Sequence, residues 1–224
     1  MLYINLKICK LRKTRGDFLE KTLLFPFTKD KLAELRAGDS VLITGTIYTA
    51  RDAAHARLIE MLHNGEELPF KIEDSIIYYT GPSPAKPGDP IGSAGPTTSY
   101  RMDSYAPELL DLGQAGMIGK GERSPAVWDA VVRNNAVYFA AIGGAGALIS
   151  RCVIDAEVIA FEDLGPEAVR KLTVKEMPVT VTIDPLGNDL YKMGRDEYLK
   201  SVNGSDDEMQ EHIDIVTDDN DSIL

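Results

Sequence analysis

Cysteine and histidine are scarce in this chain, and each shortage closes off a class of chemistry. Cys9 and Cys152 are the two cysteines among 224 residues. Two thiols cannot build the disulfide framework of a small secreted protein. Nor can they supply the three or four thiolates that hold a metal–sulfide cluster. A strong Lewis acid, if the chemistry needs one, must therefore come from another chain. His55 and His63 are eight residues apart and His212 lies near the C-terminus, so no pair has metal-ligand spacing. Gly-x-Ser-x-Gly, the P-loop spacing and Gly-x-Gly-x-x-Gly are all missing. No apolar run is long enough to span a bilayer. The start, Met1 to Lys7, has no signal-peptide pattern, so a cytoplasmic location is expected. There is no internal repeat.

Positive charge is also in short supply. The formal net charge is -11, from 24 basic and 35 acidic residues. Residues 203–224 hold eight of the acids, from Asp206 to Asp221, and no Lys or Arg; without them the balance is 24 against 27, or -3. The body is thus nearly neutral, and nucleic acid is not an expected partner. We expect a single domain over 1–202 and a flexible acidic tail over 203–224. Hydrophobic residues at 44% and charged residues at 26% are those of an ordinary globular protein.

Hydrophobic patterning predicts an α/β layer structure. Strands are expected at residues 3–10, Ser40–Tyr48, Ser75–Tyr79, Ala115–Ile118, Ala136–Ala141, Val153–Phe161 and Glu176–Ile183. Lys10 to Asp17 reads as a charged loop or hairpin. Helices are expected from Thr28 to Gly38, through Ala53–Leu62 to Gly65, over Tyr105–Leu112, and after the Ser124-Pro125 cap. Thr49 and Asp52 have capping-box spacing. Gly143–Ala147 reads as a glycine-rich turn into a short helix, suited to close helix–sheet packing or to an anion. Pro166–Leu172 reads as a helical turn, Asp184–Asn188 as a tight turn, and Leu190-Tyr191 as a short return strand.

Three polar clusters each follow a strand. Arg51 falls at the start of a helix, where the backbone already favours anions; a guanidinium there strengthens an anion site, unless Asp52 simply neutralises it. The Pro-rich stretch Gly81–Pro90 leads into Gly95-Pro96-Thr97-Thr98-Ser99-Tyr100-Arg101-Met102-Asp103, dense in hydroxyls and charge. Gly119-Lys120-Gly121 places an ammonium between two flexible residues, in a ligand loop or a plain turn. In open α/β sheets ligands collect beyond the carboxyl ends of strands. Arg51, Arg101 and Lys120 can therefore converge on a dicarboxylate if their strands are parallel neighbours. His55 is either a site residue or a packed one.

Thr44 to His55, Gly95 to Asp103 and Gly119-Lys120-Gly121, in that order, resemble the iron–sulfur hydro-lyases. The match is to the β subunit, or C-terminal domain, of class I fumarate hydratase and L-tartrate dehydratase, over roughly residues 3–195. The resemblance implies a swivelling β/β/α domain. It also implies an α subunit that carries a [4Fe-4S] cluster with one open iron, an active site between the two chains, and an α2β2-type assembly. Substrates would be C4 dicarboxylates, with fumarate/malate first and L(+)-tartrate second. Arg51, Arg101 and Lys120 would bind the carboxylates, and Thr97 matches the threonine proposed as the base for the C3 proton. Arg101, four residues on, would face Thr97 if that loop turns helically. The rival from another class is a non-catalytic dicarboxylate-binding module.

Overall fold

The parallel strands of this protein are apolar on both faces, which requires a layer packed on each side. The structure, a computed structural model, describes residues 12–13 and 19–199, with the backbone alone at 12, 13 and 19. The strand expected at 3–10 and the tail at 203–224 lie outside the described residues. Two compact units are present, one ending at Asn188 and the other beginning at Asp189.

In the first unit β1 (Arg12–Lys13) pairs antiparallel with β2 (Leu19–Leu24). Patterning indicates no strand at β2, whose Leu-Glu-Lys-Thr-Leu-Leu has little alternation; parallel pairing with the next strand sustains it. A short helix α1 (Lys29–Leu32) precedes β3 (Ser40–Thr49) and α2 (Asp52–His63). Then come β4 (Ile76–Tyr78), α3 (Ala106–Asp111), β5 (Gly116–Gly119), α4 (Pro125–Arg133) and β6 (Val137–Ala140). A one-turn helix α5 (Gly146–Ser150) leads into β7 (Val153–Ala160) and β8 (Val169–Ile183).

β3, β4, β5 and β6 are consecutive parallel neighbours. β8 runs antiparallel to β3 along one side and to β6 and β7 along the other. The pairings β3–β4–β5–β6–β8–β3 thus close on themselves, and the fold is a mixed α/β arrangement with a small barrel-like core. Residues alternate between two apolar clusters. Ile76, Tyr78, Ile118, Val137 and Phe139 join Val41, Ile43, Leu172 and Val181 between the strands. Ile77, Tyr79, Met117 and Tyr138 meet Leu58, Leu109, Val127 and Val131 of the helices. Gly45 carries a bulge in β3 at φ 136°, and a Cβ there would come within 2.3 Å of the Phe25 Cβ.

Three local expectations are corrected. Thr49 caps no helix: its Oγ1 donates to Ala168 O and accepts from Arg170 N, so it ties β3 to β8, and Arg51 is the N-cap residue. Pro166–Leu172 is no helical turn. A 3-10 segment covers Glu162–Glu167, and Val169 onward is strand, because it pairs with β3 and β7 while Leu172 and Val174 face the core between the strands and Val169 the helix side. In the second unit, residues 190–199 are helical where a return strand was expected at Leu190-Tyr191. Asp189 Oδ1 accepts from Tyr191 N, a side-chain start signal that the strand reading overlooked.

Two internal supports position the loops. The Arg123 side chain is completely enclosed between the Tyr79 and Tyr138 rings, 5.3 and 5.0 Å from their centroids. Its Nε donates to Asp103 Oδ1 at 2.7 Å, and Asp103 Oδ2 accepts from Ser124 N at 2.6 Å. One carboxylate thereby joins the loop after β4 to the start of α4. His55 is the second support. It is fully buried on α2, edge-on to Tyr79, with Nδ1 at 2.9 Å from Arg51 O. Desolvation by burial pushes its pKa down to about 4, against the opposing effect of the Arg51 carbonyl.

Asp103→Ala leaves a buried guanidinium without its counter-ion and is expected to cost about 3–5 kcal/mol in urea unfolding. His55 gives a pH signature. The unfolded imidazole takes a proton below its ordinary value of 6.5, while the folded one stays neutral to about 4. Stability from this group is therefore complete above pH 6.5 and is lost as pH falls through that window, at about 1.4 kcal/mol per unit. Wild type should lose about 3 kcal/mol more than His55→Asn between these limits, measured by urea titrations at several pH values.

Candidate active site

Because β3, β4 and β5 are parallel neighbours, their carboxyl ends share one edge of the sheet. Arg51 follows β3, Lys120 follows β5, and the excursion after β4 returns to the same edge before Thr97. That return is pinned by hydrogen bonds. Tyr78 Oη donates to Ala94 O, Thr80 Oγ1 to Gly95 O, and Thr97 N to Tyr79 O at 2.7 Å. α5 supports the loop from outside. A Cβ on Gly146 would lie 2.6 Å from Ser93 Oγ and 2.8 Å from Gly95 N, so this glycine makes room for the loop rather than for a sheet.

Thr98 then bridges Lys120 in parallel, and Ser99 N donates to Lys120 O at 3.0 Å. Buried Ser99 Oγ accepts from Lys120 N and from Tyr138 Oη. Gly119 permits this approach: a Cβ there would sit 1.9 Å from Ser99 Oγ. A 3-10 turn over Ser99–Met102 brings Arg101 back over Thr97, and its Nη2 donates to Thr97 Oγ1. The helical turn expected for this pair is present.

The two arginines meet at Asp52. Its Oδ1 lies 3.6 Å from Arg51 Nη2 and 3.5 Å from Arg101 Nη1, within ion-pair range of both. Arg51 Nη2 also lies 3.0 Å from Glu167 Oε1, while Glu167 Oε2 accepts from Ala53 N at the start of α2. The helix start is therefore an anion site whose first occupant is Glu167. Side-chain exposures of 22% for Arg51 and 34% for Arg101 leave both reachable from solvent. Lys120 is exposed, and its stem passes Gly143, whose Cβ position would be 3.8 Å from Lys120 Cδ. Its ammonium has no ion-pair partner among the described residues.

Thr97, Arg101, Asp52 and Arg51 thus form a chain of successive contacts, while the Lys120 backbone is bonded to Ser99 of the same loop and no contact brings its ammonium to the two arginines. His55 lies enclosed in the helix-side core, so packing is its observed position. Glu167, Asp103 and Arg123 were not singled out from the sequence. Asp103 and Arg123 sat within or beside the quoted motifs, where an acid and a base flanking two loops were the available signal. Glu167 had none, being remote in sequence and assigned to a helical turn. Among the described residues no group of three or more His, Cys, Asp or Glu is placed to hold a metal ion. None of the described helices is long and apolar enough to cross a membrane.

The sequence profile described as Fumarase C-terminus matches residues 12–194. The class I anaerobic fumarate hydratase of Escherichia coli K12 is 40% identical over 164 residues, which is 72% of this chain and 30% of that protein. Fumarate hydratase 2 of Leishmania major is 39% identical over 165 residues, 73% of this chain and 29% of that enzyme. This chain therefore spans under a third of the length of those two enzymes. A Methanocaldococcus jannaschii chain, provisionally named L(+)-tartrate dehydratase subunit beta, is 38% identical over 182 residues, covering 79% of this chain and 93% of its own length. With the profile running through nearly all of the described residues, this chain belongs to the Fumarase C-terminus family.

Proposed function

We propose that this chain is the β subunit of a hydro-lyase that reversibly adds water to, or removes it from, a C4 dicarboxylate, with fumarate and malate as the favoured pair. The observation that carries the reading is the meeting of Arg51, Arg101 and Thr97 at one sheet edge beside the Lys120 loop, in a member of this family. Its domain type is then the swivelling β/β/α one. The near-complete match to a relative named as a separate β subunit supports a two-chain enzyme, with an α subunit in an α2β2-type assembly. That relative's name also supports L(+)-tartrate as the second substrate reading.

In this reading Arg51, Arg101 and Lys120 bind the substrate carboxylates. Asp52 and Glu167 offset two of those charges, so these five side chains keep one net positive charge to attract a dianion. Thr97 Oγ1 takes the proton from C3. A free threonine hydroxyl is a poor base, and the Arg101 guanidinium that donates to this oxygen favours its ionised form. The same cations stabilise the charge that builds on the adjacent carboxylate as the proton leaves. With two cysteines this chain is short of the three or four thiolates a [4Fe-4S] cluster takes, so in this reading the α subunit holds it. There it would supply the Lewis acidity that makes the C2 hydroxyl a leaving group.

The test is anaerobic co-expression with a cluster-bearing α chain, followed by assays on malate, fumarate and L(+)-tartrate. Turnover of one of them is expected; a reconstituted complex inert on all three refutes the reading. Arg101→Ala should lower kcat/KM by about 100-fold or more, as loss of a transition-state donor does, while the complex elutes unchanged in gel filtration. Thr97→Ala should lower kcat by about 10²–10⁴-fold, with Thr97→Ser retaining part of the rate. Near-normal kinetics in Thr97→Ala would remove that residue from the base role.

A further inference from the structure

Glu167 reaches the site from the connection between β7 and β8, more than a hundred residues beyond Arg51 in the chain. It is held there independently of Arg51. Its Oε2 accepts from Ala53 N at 3.2 Å, where the positive end of α2 favours a carboxylate. The segment that carries it is fastened to α2 by a bidentate pair, Arg57 Nη1 to Asp163 Oδ1 at 2.7 Å and Nη2 to Oδ2 at 2.5 Å. Arg57 also lies over the Phe161 ring, 5.4 Å from its centroid. The carboxylate is thus a fixed post.

Arg51 is confined against that post. Its Nη2 takes Glu167 Oε1 at 3.0 Å, and a Cβ on Gly81 would come within 2.9 Å of its Nη1, so backbone closes the other side. The buried Arg51 Nε has no hydrogen-bond partner. A long side chain with several free torsions would otherwise sample many directions at the edge of the sheet. Asp52 does not confine it in this way: its Oδ1 stands at 3.5 and 3.6 Å from the two arginines and forms no hydrogen bond.

We propose that Glu167 is a positioning residue that fixes the direction of the Arg51 guanidinium for binding a substrate carboxylate, and that it is retained when the substrate enters. This rests on the dicarboxylate reading above and extends it to a residue that touches no substrate. Pre-organisation of this kind improves ground-state and transition-state binding alike, so its loss raises KM more than it lowers kcat.

The experiment compares wild type, Glu167→Gln and Asp163→Asn. Glutamine keeps the length and an oxygen for Ala53 N but loses the ion pair. In the full chain, the Arg51 Nε–H resonance, assigned by its disappearance in Arg51→Lys, should be distinct in wild type. It should move toward the position of a free arginine in Glu167→Gln and stay in place in Asp163→Asn. In the co-expressed complex, Glu167→Gln should raise KM for the turned-over dicarboxylate about 5-fold, the scale of one partly exposed ion pair, with kcat changed less than about 2-fold. An unchanged Arg51 resonance and KM would overturn the proposal. A lowered KM would make Glu167 a competitor for Arg51, which also overturns it. An equal effect from Asp163→Asn would assign the result to docking of the segment, and the proposal would fall in that case too. If wild type turns over no dicarboxylate, the functional reading fails, and the resonance still decides whether Glu167 orients Arg51.

Discussion

Two guanidinium groups facing the same space repel each other, and the architecture around them depends on meeting that cost. Asp52 stands within ion-pair range of both, and Glu167 takes one nitrogen of Arg51 together with the Ala53 amide in the first turn of α2. The two acids come from separate parts of the chain, one beside Arg51 in sequence and the other from the far antiparallel strand pair. Without such partners, cations gathered at a helix N-terminus would oppose the helix dipole. With them, each arginine remains partly exposed, its contact to Asp52 a long one. The site is therefore assembled with its own counter-ions in place.

Beneath this surface lies a second layer of polar groups with a different task. Asp103 ends the Thr97–Asp103 turn and holds both Arg123 and the amide of Ser124, the cap of α4. Arg123 lies between two tyrosine rings with no exposure. A fully desolvated ion pair adds little net stability over an apolar replacement, but its geometry is demanding. Here it ties the loop after β4 to the loop after β5, the two that carry Arg101 and Lys120. His55 completes the layer by bonding to the carbonyl of Arg51 from within the helix-side core. Both arginines at the surface thus have buried polar neighbours that limit the movement of the backbone carrying them.

Most elements were legible because they obey local rules. The strand at Ser40–Thr49, the Ser124 cap with Pro125 after it, and the alternation of Met177, Val179, Val181 and Ile183 follow from patterning and capping chemistry. The misreadings share a cause. Thr49 has the right spacing for a cap, yet its hydroxyl finds a better partner in the β8 backbone. Residues 166–172 read as a helical turn, yet pairing on both sides draws most of them into a long strand. In each case a partner distant in sequence outweighed a weak local preference.

The amino-acid order alone determined which residues have the chemistry: Arg51 after one strand, Thr97 and Arg101 four apart on a turn, Lys120 between two glycines. Spacing within a few residues settles such relations, because a turn or strand end leaves little conformational choice. Whether these groups meet was decided only by tertiary structure. Parallel pairing of β3, β4 and β5 puts three separate strand ends on one edge, and the β7–β8 connection brings Glu167 to Arg51. Both depend on long-range strand pairing, which is selected by burial of whole sheet faces and leaves no mark at the charged residues it carries along.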